Sequence, residues 1–192
     1  MEYDLRGLKV AIMATDGFEE SELVEPRAAL DQVGAETLVI SPKDSDSIQG
    51  LNHTEKGKSV HVDLPLEYAN PDRFDALLLP GGAFNADNLR SERRAQEFVK
   101  NMDKDGKPIS FICHAPWLLV SAGLVRGKTL TSYYTIQDDI RNAGGNWVDK
   151  EVVRYANWVS SRQPSDIPEF NKEMLKLFSE NLQRKHGSYV AM

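Results

Sequence analysis

The dipeptide Cys113-His114 is the strongest candidate for chemistry in this chain, and it contains the only cysteine. An apolar run of strand length, Ile109–Ile112, precedes it, and Pro116 follows at a position that suits the first turn of a helix. The sequence therefore predicts a sharp strand-to-helix turn at the cysteine. Such a turn lifts one side chain above the amide groups of the helix start. This placement is expected to lower the thiol pKa below about 8.5 and to give a nucleophilic thiolate.

A second candidate is the pair Gly81-Gly82, which follows the apolar run at 75–80. Two glycines allow backbone conformations that other residues avoid, and they let amide groups approach a ligand closely. The pair predicts an oxyanion pocket, but a tight turn before a helix would use the same residues. Cys113 has a comparable alternative, because a single cysteine at the end of a buried strand is often only a small core side chain.

The elements that must position these residues alternate between short apolar runs and helical patterns. The last helix has apolar residues at i, i+3, i+4 spacing from Ile167 onwards. This alternation predicts an α/β fold with a mostly parallel central sheet and helices on both faces. Ligands bind such sheets outside the carboxyl ends of the strands, and Glu22, Gly82, Cys113 and Tyr133 all lie near such ends. We therefore expect these four residues to converge. The strands are expected at 8–14, 37–40, 75–80, 109–112, 128–132, 152–155 and 157–160.

The segment 44–63 departs from this alternation. Two short extended runs flank Glu55-Lys-Gly-Lys58, which predicts a β-hairpin inserted beside the main sheet. His53 and His61 are expected on the solvated face of this hairpin as surface polar residues.

Composition indicates one globular domain over residues 1–192, with 41% hydrophobic and 27% charged residues. A net charge of −6 and the absence of a basic run argue against nucleic acid as the main partner. A single cysteine excludes an intramolecular disulfide and fits a reducing compartment, so a cytoplasmic protein is expected. No run approaches the roughly 18 to 20 apolar residues of a membrane helix, so no membrane partner is expected.

Four sequence blocks resemble the PfpI intracellular-protease family. That family belongs to the DJ-one/ThiJ/PfpI superfamily, which is related to class I glutamine amidotransferases. The resemblance extends from Val10 to the last helix and implies a flavodoxin-like sandwich with the cysteine on a strained nucleophile elbow. The blocks are Leu-Leu-Leu-Pro-Gly-Gly at 77–82, Gly-Lys-Pro-Ile-Ser-Phe-Ile-Cys-His-Ala-Pro at 106–116, Ser-Ala-Gly-Leu-Val-Arg-Gly at 121–127 and Asn-Trp-Val-Ser-Ser-Arg at 157–162.

The resemblance also implies roles for single residues. Cys113 matches the nucleophile, His114 the histidine beside it, and Glu22 a buried glutamate that hydrogen-bonds the nucleophile. A carboxyl group kept protonated by burial would donate to a thiolate, whereas an ionised one would repel it. Glu19 is the other candidate for this buried glutamate. Without such a role, Glu19 would be a solvated residue or a helix cap. Tyr133 matches an active-site tyrosine of the family. The structural alternative is a core tyrosine whose hydroxyl is hydrogen-bonded.

One position departs from the family pattern. In the archetypal protease, a glutamate of a neighbouring subunit orients the histidine, and Asp87 stands at that position here. Aspartate is shorter but keeps the charge, so it would still pair with His114 if the subunits approach closely. An active site completed by Asp87 in trans requires an oligomer, and a homodimer is the smallest one.

Three functions remain open for this constellation. The favoured one is a glyoxalase or deglycase that acts on reactive carbonyls or their adducts, with Cys113 as nucleophile and His114 as proton carrier. The second is an intracellular peptidase with a Cys113, His114, Asp87 triad and amide groups near Gly82 and His114 as oxyanion hole. The third is a redox sensor or chaperone that uses an oxidisable Cys113. None needs a cofactor, and a metal site is the weakest alternative because the ligand spacing is wrong.

Overall fold

The computed structural model describes residues 3–190, with side chains over residues 3–184. Within this range, no helix is both long and apolar enough to cross a membrane. The strands are β1 (Lys9–Met13), β2 (Phe18–Glu19), β3 (Glu36–Ser41), β4 (Ser47–Asn52), β5 (Glu55–His61), β6 (Leu64–Pro65), β7 (Ala76–Leu79), β8 (Ile109–Ile112), β9 (Thr129–Leu130), β10 (Asn146–Trp147), β11 (Val152–Tyr155) and β12 (Trp158–Ser161). The helices are α1 (Glu20–Gln32), α2 (Ala83–Ser91), α3 (Arg93–Lys104), α4 (Pro116–Ser121), α5 (Gln137–Asn142) and α6 (Ile167–Val190).

Seven strands form the central sheet in the order β11-β12-β8-β7-β1-β3-β6. Every neighbouring pair is parallel except β11 with β12. The parallel strands β3, β1, β7, β8 and β12 follow the order of flavodoxin-like sheets, so the predicted fold class is confirmed. The strand order reverses at β1. The carboxyl ends of β1 and β7 therefore flank the crevice in which such folds bind ligands.

Successive side chains of β1 point into two different hydrophobic layers, as a strand with helices on both faces requires. Val10 and Ile12 pack in the layer formed by α1 and α6. Ala11 and Met13 pack in the opposite layer, which is formed by α2, α3, α4 and α5. All four side chains are fully buried. The sheet is thus a rigid support for the loops at its carboxyl edge.

The predicted β-hairpin is present, but its turn was predicted at the wrong place: Glu55–Lys58 lie within β5, and the chain turns at His53 and Thr54. β4 and β5 pair antiparallel, and β2 adds a short strand beside β4. Glu19, at the end of β2, and Glu20, the first residue of α1, hold the hairpin through its backbone. Glu20 Oε2 accepts from the N–H of Lys58 at 2.7 Å, and Glu19 Oε2 accepts from the N–H of His53 at 3.1 Å. These bonds bring the tip to the carboxyl edge of the sheet.

Two expectations about the elements were wrong in detail. The helix expected after Gly82 is two helices, because Glu92 adopts an extended conformation between α2 and α3. The strand expected at 128–132 is reduced to β9, which pairs with β10 in a small sheet of its own and not with the central sheet. Neither difference changes the position of the predicted site.

Asn85 joins three segments at the crevice and is fully buried. Its Oδ1 accepts from the N–H of Thr15 at 2.7 Å. Its Nδ2 donates to the carbonyl oxygens of Pro80 and Gly81 at 3.0 and 2.9 Å. A side chain that both donates and accepts is required here, since the groups around it are one amide and two carbonyls. Asn85 therefore fixes the end of β7 against the end of β1.

Asn85→Asp is expected to destabilise the fold by at least about 3 kcal/mol, because a carboxylate would be buried against two carbonyl oxygens. The free energy of unfolding from urea titrations measures this effect. Asn88→Asp is the matched control, since Asn88 lies exposed on the same helix and should change stability by under about 0.5 kcal/mol. Equal stability losses in the two variants would contradict the assigned role of Asn85.

Candidate active site

Cys113 lies on a strained turn between β8 and α4. Its φ angle is 63°, in the left-handed region that non-glycine residues rarely occupy. Its N–H donates to the carbonyl of Ser161 at 3.1 Å, and its carbonyl accepts from the N–H of Tyr133 at 2.9 Å. These bonds hold a conformation that costs roughly 1 to 3 kcal/mol. The elbow implied by the family resemblance is therefore present.

The two glycines after β7 are needed because the elbow packs directly against them. A Cβ on Gly81 would contact Glu22 Oε2 and would lie 2.6 Å from Cys113 Cβ. Gly82 has a φ of 90°, and a Cβ there would lie 2.6 Å from the backbone nitrogen of Glu19. Gly82 is thus wedged against the turn before α1. The pair brings the thiol, Glu22 and the backbone of Glu19 to one point.

Glu22 extends from α1 beneath the thiol and is fully buried. Its Oε2 accepts from the N–H of Gly81 at 2.9 Å, and its Oε1 has no hydrogen-bond partner among the described residues. Burial raises the pKa of this carboxyl to about 8, with a contribution from the charge of Glu19. The carboxyl is therefore protonated at neutral pH. A neutral acid next to the sulfur is the state that the family resemblance implied.

The expectation of a lowered thiol pKa was wrong. Burial raises the pKa of the Cys113 thiol well above its ordinary value, and an ionised Glu22 raises it further. The N–H groups of Gly82 and His114 act in the opposite direction. Cys113 is only 7% exposed, so water stabilises its thiolate poorly. The resting group is a thiol, and it needs a base in order to react.

His114 is placed to be that base. Its Nδ1 lies 3.1 Å from Cys113 Sγ, and its Nε2 lies 3.4 Å from Thr135 Oγ1. Burial lowers the pKa of the imidazole, so the ring is neutral at pH 7. With its proton on Nε2, facing Thr135, the ring has Nδ1 free to accept the thiol proton.

Aromatic rings fix the plane of the imidazole. Tyr133 stacks on His114 with ring centroids 4.9 Å apart and an interplanar angle of 28°. Trp117 meets the same ring edge-on at 5.3 Å. Partial burial, Tyr134 and Cys113 raise the pKa of the Tyr133 phenol, so it is neutral near pH 7. These contacts limit rotation of His114 and keep Nδ1 directed at the sulfur.

The thiol opens into a cavity of about 620 Å³ at the carboxyl edge of the sheet. The cavity walls come from the loops after β1, β7, β8 and β12 and from the tip of the hairpin. Within residues 3–184, no group of three or more His, Cys, Asp or Glu side chains is arranged to hold a metal ion. The lining consists of Gly17, Glu19, Glu22, Leu51, His53, Thr54, Gly82, Ala83, Phe84, Cys113, His114, Tyr133, Gln163, Pro164 and Ser165.

The expected convergence is confirmed, since Glu22, Gly82, Cys113 and Tyr133 all line this cavity. Asp87 lies elsewhere, exposed on α2, and contributes nothing to the cavity of its own chain. Its action in trans therefore stays a prediction.

Sequence reasoning missed two residues near the thiol. His53 is exposed, as expected, and so is His61, but His53 also lines the cavity from the tip of the hairpin. Thr135 carried no signal in the sequence, and only the fold brings its hydroxyl to His114. Both are exposed residues of loops or turns, so no hydrophobic pattern could have placed them.

Comparison with known proteins agrees with this geometry. A family model described as the DJ-1/PfpI family matches residues 8–177. A deglycase from Pyrococcus abyssi is 45% identical over 170 residues, which cover 88% of this chain and 99% of that protein. Protein/nucleic acid deglycase 2 of Escherichia coli is 40% identical over 171 residues, covering 88% and 96%.

A crystal structure of a two-domain protein from Anabaena variabilis, with DJ-1/ThiJ/PfpI-like and ferritin-like domains, is also similar. It superposes with a TM-score of 0.83 at 30% identity, covering 88% of this chain and 47% of that one. The match supports the same arrangement of sheet and helices. The chain belongs to the DJ-1/PfpI family.

Proposed function

We propose that this protein is a cysteine-dependent deglycase, which removes carbonyl adducts from amines and related nucleophiles. The observation that carries the proposal is the 3.1 Å contact between Cys113 Sγ and His114 Nδ1 at the floor of a 620 Å³ cavity. The relatives from Pyrococcus abyssi and Escherichia coli are named deglycases, and each is at least 40% identical over most of this chain. Enzymes of this kind need a nucleophile, a proton carrier and room for an adduct, and this site has all three.

The first chemical step follows from the geometry. The thiol proton passes from Cys113 to His114 Nδ1 while Sγ forms a bond to the carbonyl carbon of the bound adduct. The carbonyl electron pair moves to oxygen, which then takes the proton from the imidazolium. Gly82 and His114 direct backbone N–H groups at the sulfur and stabilise its negative charge during the transfer. The neutral Glu22 does not oppose this charge.

The overall reaction balances without an external oxidant or reductant. An adduct of methylglyoxal on an amine, together with one water, gives the free amine and lactate. The carbon skeleton is oxidised at one carbon and reduced at the next, so electrons stay within the substrate. The same chemistry on a free dicarbonyl or its hemithioacetal is the glyoxalase reaction. The proposed site therefore serves both substrates with one nucleophile.

Cysteine-dependent release of lactate is the expected result when the purified protein is incubated with methylglyoxal adducts of N-acetyl-arginine or N-acetyl-lysine. Cys113→Ala should lower the rate at least about 1,000-fold, because it removes the only thiol of the chain, and that thiol lines the cavity. Proton NMR follows lactate and the restored amine together.

Casein and fluorogenic peptides are run alongside as peptidase substrates. Cys113-dependent cleavage of peptide without lactate formation would overturn the proposal and favour the peptidase. Peroxide-driven mass gain at Cys113, with neither activity present, would favour the redox sensor.

Glu22→Gln tests the protonation state of the buried acid through stability. The carboxyl pKa is about 8 in the fold and 4.5 in its ordinary state, so between these values the native protein holds a proton that the unfolded chain has lost. The free energy of unfolding should therefore fall as pH rises from about 4.5 to 8, by up to about 1.4 kcal/mol per pH unit.

Glutamine is neutral at every pH. The free energy of unfolding of the variant should therefore no longer fall between pH 4.5 and 8 through this group, while the hydrogen bond from the N–H of Gly81 is kept. Urea titrations at pH 5, 6.5 and 8 measure it. Glu25→Gln is the control, because Glu25 is exposed on the same helix. Wild type and Glu22→Gln curves that run parallel with pH would show that Glu22 is ionised in the fold.

Asp87 is proposed to orient His114 of a partner subunit, which makes the active enzyme at least a dimer. Asp87→Asn should then be weakly active, and so should Cys113→Ala. An equal mixture of the two variants, unfolded and refolded together, should recover about a quarter of the wild-type activity, since about half of the dimers are mixed and one of the two sites in each combines an intact Cys113 with an intact Asp87. Sedimentation measures the assembly in parallel. Full activity of Asp87→Asn, or a monomeric active enzyme, would exclude the role in trans.

A further inference from the structure

The imidazole of His114 has to carry its proton on one particular nitrogen. Its Nδ1 lies 3.1 Å from Cys113 Sγ, and the resting sulfur is a thiol. Only an unprotonated Nδ1 accepts the thiol proton, so the neutral ring must hold its own proton on Nε2. In the other tautomer, two donors would face each other, the S–H and the Nδ1–H. The reactive tautomer therefore needs an acceptor for the Nε2–H group.

Thr135 supplies this acceptor. Its Oγ1 lies 3.4 Å from His114 Nε2, and no other side chain within residues 3–184 is hydrogen-bonded to that nitrogen. A hydroxyl oxygen has two lone pairs, so it accepts as readily as it donates. Because Nδ1 is the acceptor for the thiol, Nε2 is the donor in the pair with Thr135.

The position of Thr135 is fixed although the residue is exposed. The short turn that contains it begins after Tyr133, whose N–H donates to the carbonyl of Cys113 at 2.9 Å. On its other side, Ile136 is buried in the core layer that contains α4, and its N–H donates to the carbonyl of Tyr133 at 3.2 Å. Thr135 thus lies between two anchored residues, and the hydroxyl keeps its distance from the ring.

The charged groups near the ring act on its neighbour and not on Nε2. Trp117, which meets His114 edge-on, donates through Nε1 to Asp139 Oδ2 at 2.8 Å. The guanidinium of Arg90 lies 5.2 Å from the centroid of the same tryptophan. In the described part of the chain, neither Asp139 nor Arg90 is hydrogen-bonded to His114. The choice of tautomer is therefore left to Thr135.

The same hydroxyl also supports the state that follows proton transfer. When Nδ1 takes the thiol proton, the ring becomes an imidazolium and donates from both nitrogens. The bond from Nε2–H to Thr135 Oγ1 then involves a charged donor and becomes stronger. An interaction that strengthens as the reaction proceeds raises kcat more than it changes KM.

We propose that Thr135 is the positioning residue of His114 within the same chain, holding the imidazole in the tautomer that accepts the proton of Cys113. The family resemblance implied an orienting acid from a neighbouring subunit, at Asp87. A hydroxyl that accepts from Nε2–H keeps its own proton for donation, so Thr135 does not exclude that role of Asp87. The inference deepens the deglycase function proposed above, because it assigns a further residue of the same site.

Thr135→Val removes the hydroxyl and keeps the branched shape of the side chain. Its rate constant for alkylation of Cys113 by iodoacetamide at pH 7 should fall about tenfold, the effect of losing one hydrogen bond. Thr135→Ser keeps the hydroxyl and should stay within about twofold of wild type. Both variants should keep the urea midpoint of wild type, since Thr135 is exposed. For methylglyoxal adducts, kcat of Thr135→Val should fall by a similar factor with KM within about twofold.

Nitrogen-15 NMR of the histidine rings reads the tautomer directly. The chain has four histidines, and the signals of His114 are those missing from His114→Asn. At pH 7.5 wild type should be protonated on Nε2, whereas Thr135→Val should show a substantial fraction protonated on Nδ1.

The acid limb of the alkylation profile should also move in Thr135→Val, to lower pH by about half a unit, because the lost bond favoured the imidazolium. The substitution leaves the other titratable side chains of the cavity in place, namely Glu19, Glu22, His53, Cys113 and Tyr133.

Alkylation and NMR need no adduct, so they separate this inference from the deglycase function. Wild-type alkylation by Thr135→Val, or slower alkylation with an unchanged tautomer, would overturn the role of Thr135 and leave the deglycase function standing. Equal losses in Thr135→Val and Thr135→Ser would overturn it too, because the hydroxyl would then not matter. Slower alkylation of Thr135→Val with a changed tautomer, in a protein that hydrolyses no adduct, would support Thr135 while the deglycase function fails.

Discussion

One carboxyl group and one sulfur share a desolvated space behind the elbow, and this constraint governs the rest of the site. Glu22 and Cys113 are both nearly inaccessible to water, so a negative charge on one of them is strongly unfavourable while the other is charged. The proton on Glu22 is therefore the condition for negative charge on the sulfur. Gly81 makes the arrangement possible, because any side chain there would occupy the space that the two groups share.

The strain at Cys113 persists because rigid segments hold both sides of it. The N–H of Cys113 continues the pairing of β8 with β12, and its carbonyl receives the N–H of Tyr133. The far wall of the cavity is fixed in a similar way: Arg162 bonds both carboxylate oxygens of Asp166, at 2.8 and 3.1 Å, and so anchors the turn Pro164–Asp166. Because the reactive loop is held at each end, it stays rigid, and the reacting groups keep a fixed geometry.

The sequence predicted the parts of the site that depend on local pattern. The apolar run before Cys113, Pro116 after it and the two glycines after β7 indicated where the chain turns, and the sheet brought those turns together. The thiol pKa was predicted with the wrong sign, because burial of the sulfur depends on the packing of α1 and not on neighbouring residues. The place of His53 beside the cavity could not be predicted for a related reason: Glu19, at the end of β2, accepts a hydrogen bond from the N–H of His53 at the hairpin tip, and a hairpin pattern contains no information on that contact.

Two titrations confine the chemistry to a window of pH. At low pH the imidazole of His114 takes up a proton from solvent and can no longer accept one from the thiol, and burial moves this limit below its ordinary value. Near pH 8 Glu22 loses its proton, and its charge then opposes the thiolate beside it. A base that stays neutral to lower pH and an acid that stays neutral to higher pH widen the range in which both groups are uncharged. Burial raises the thiol pKa, but the same burial extends the conditions under which a single proton transfer to His114 activates the sulfur.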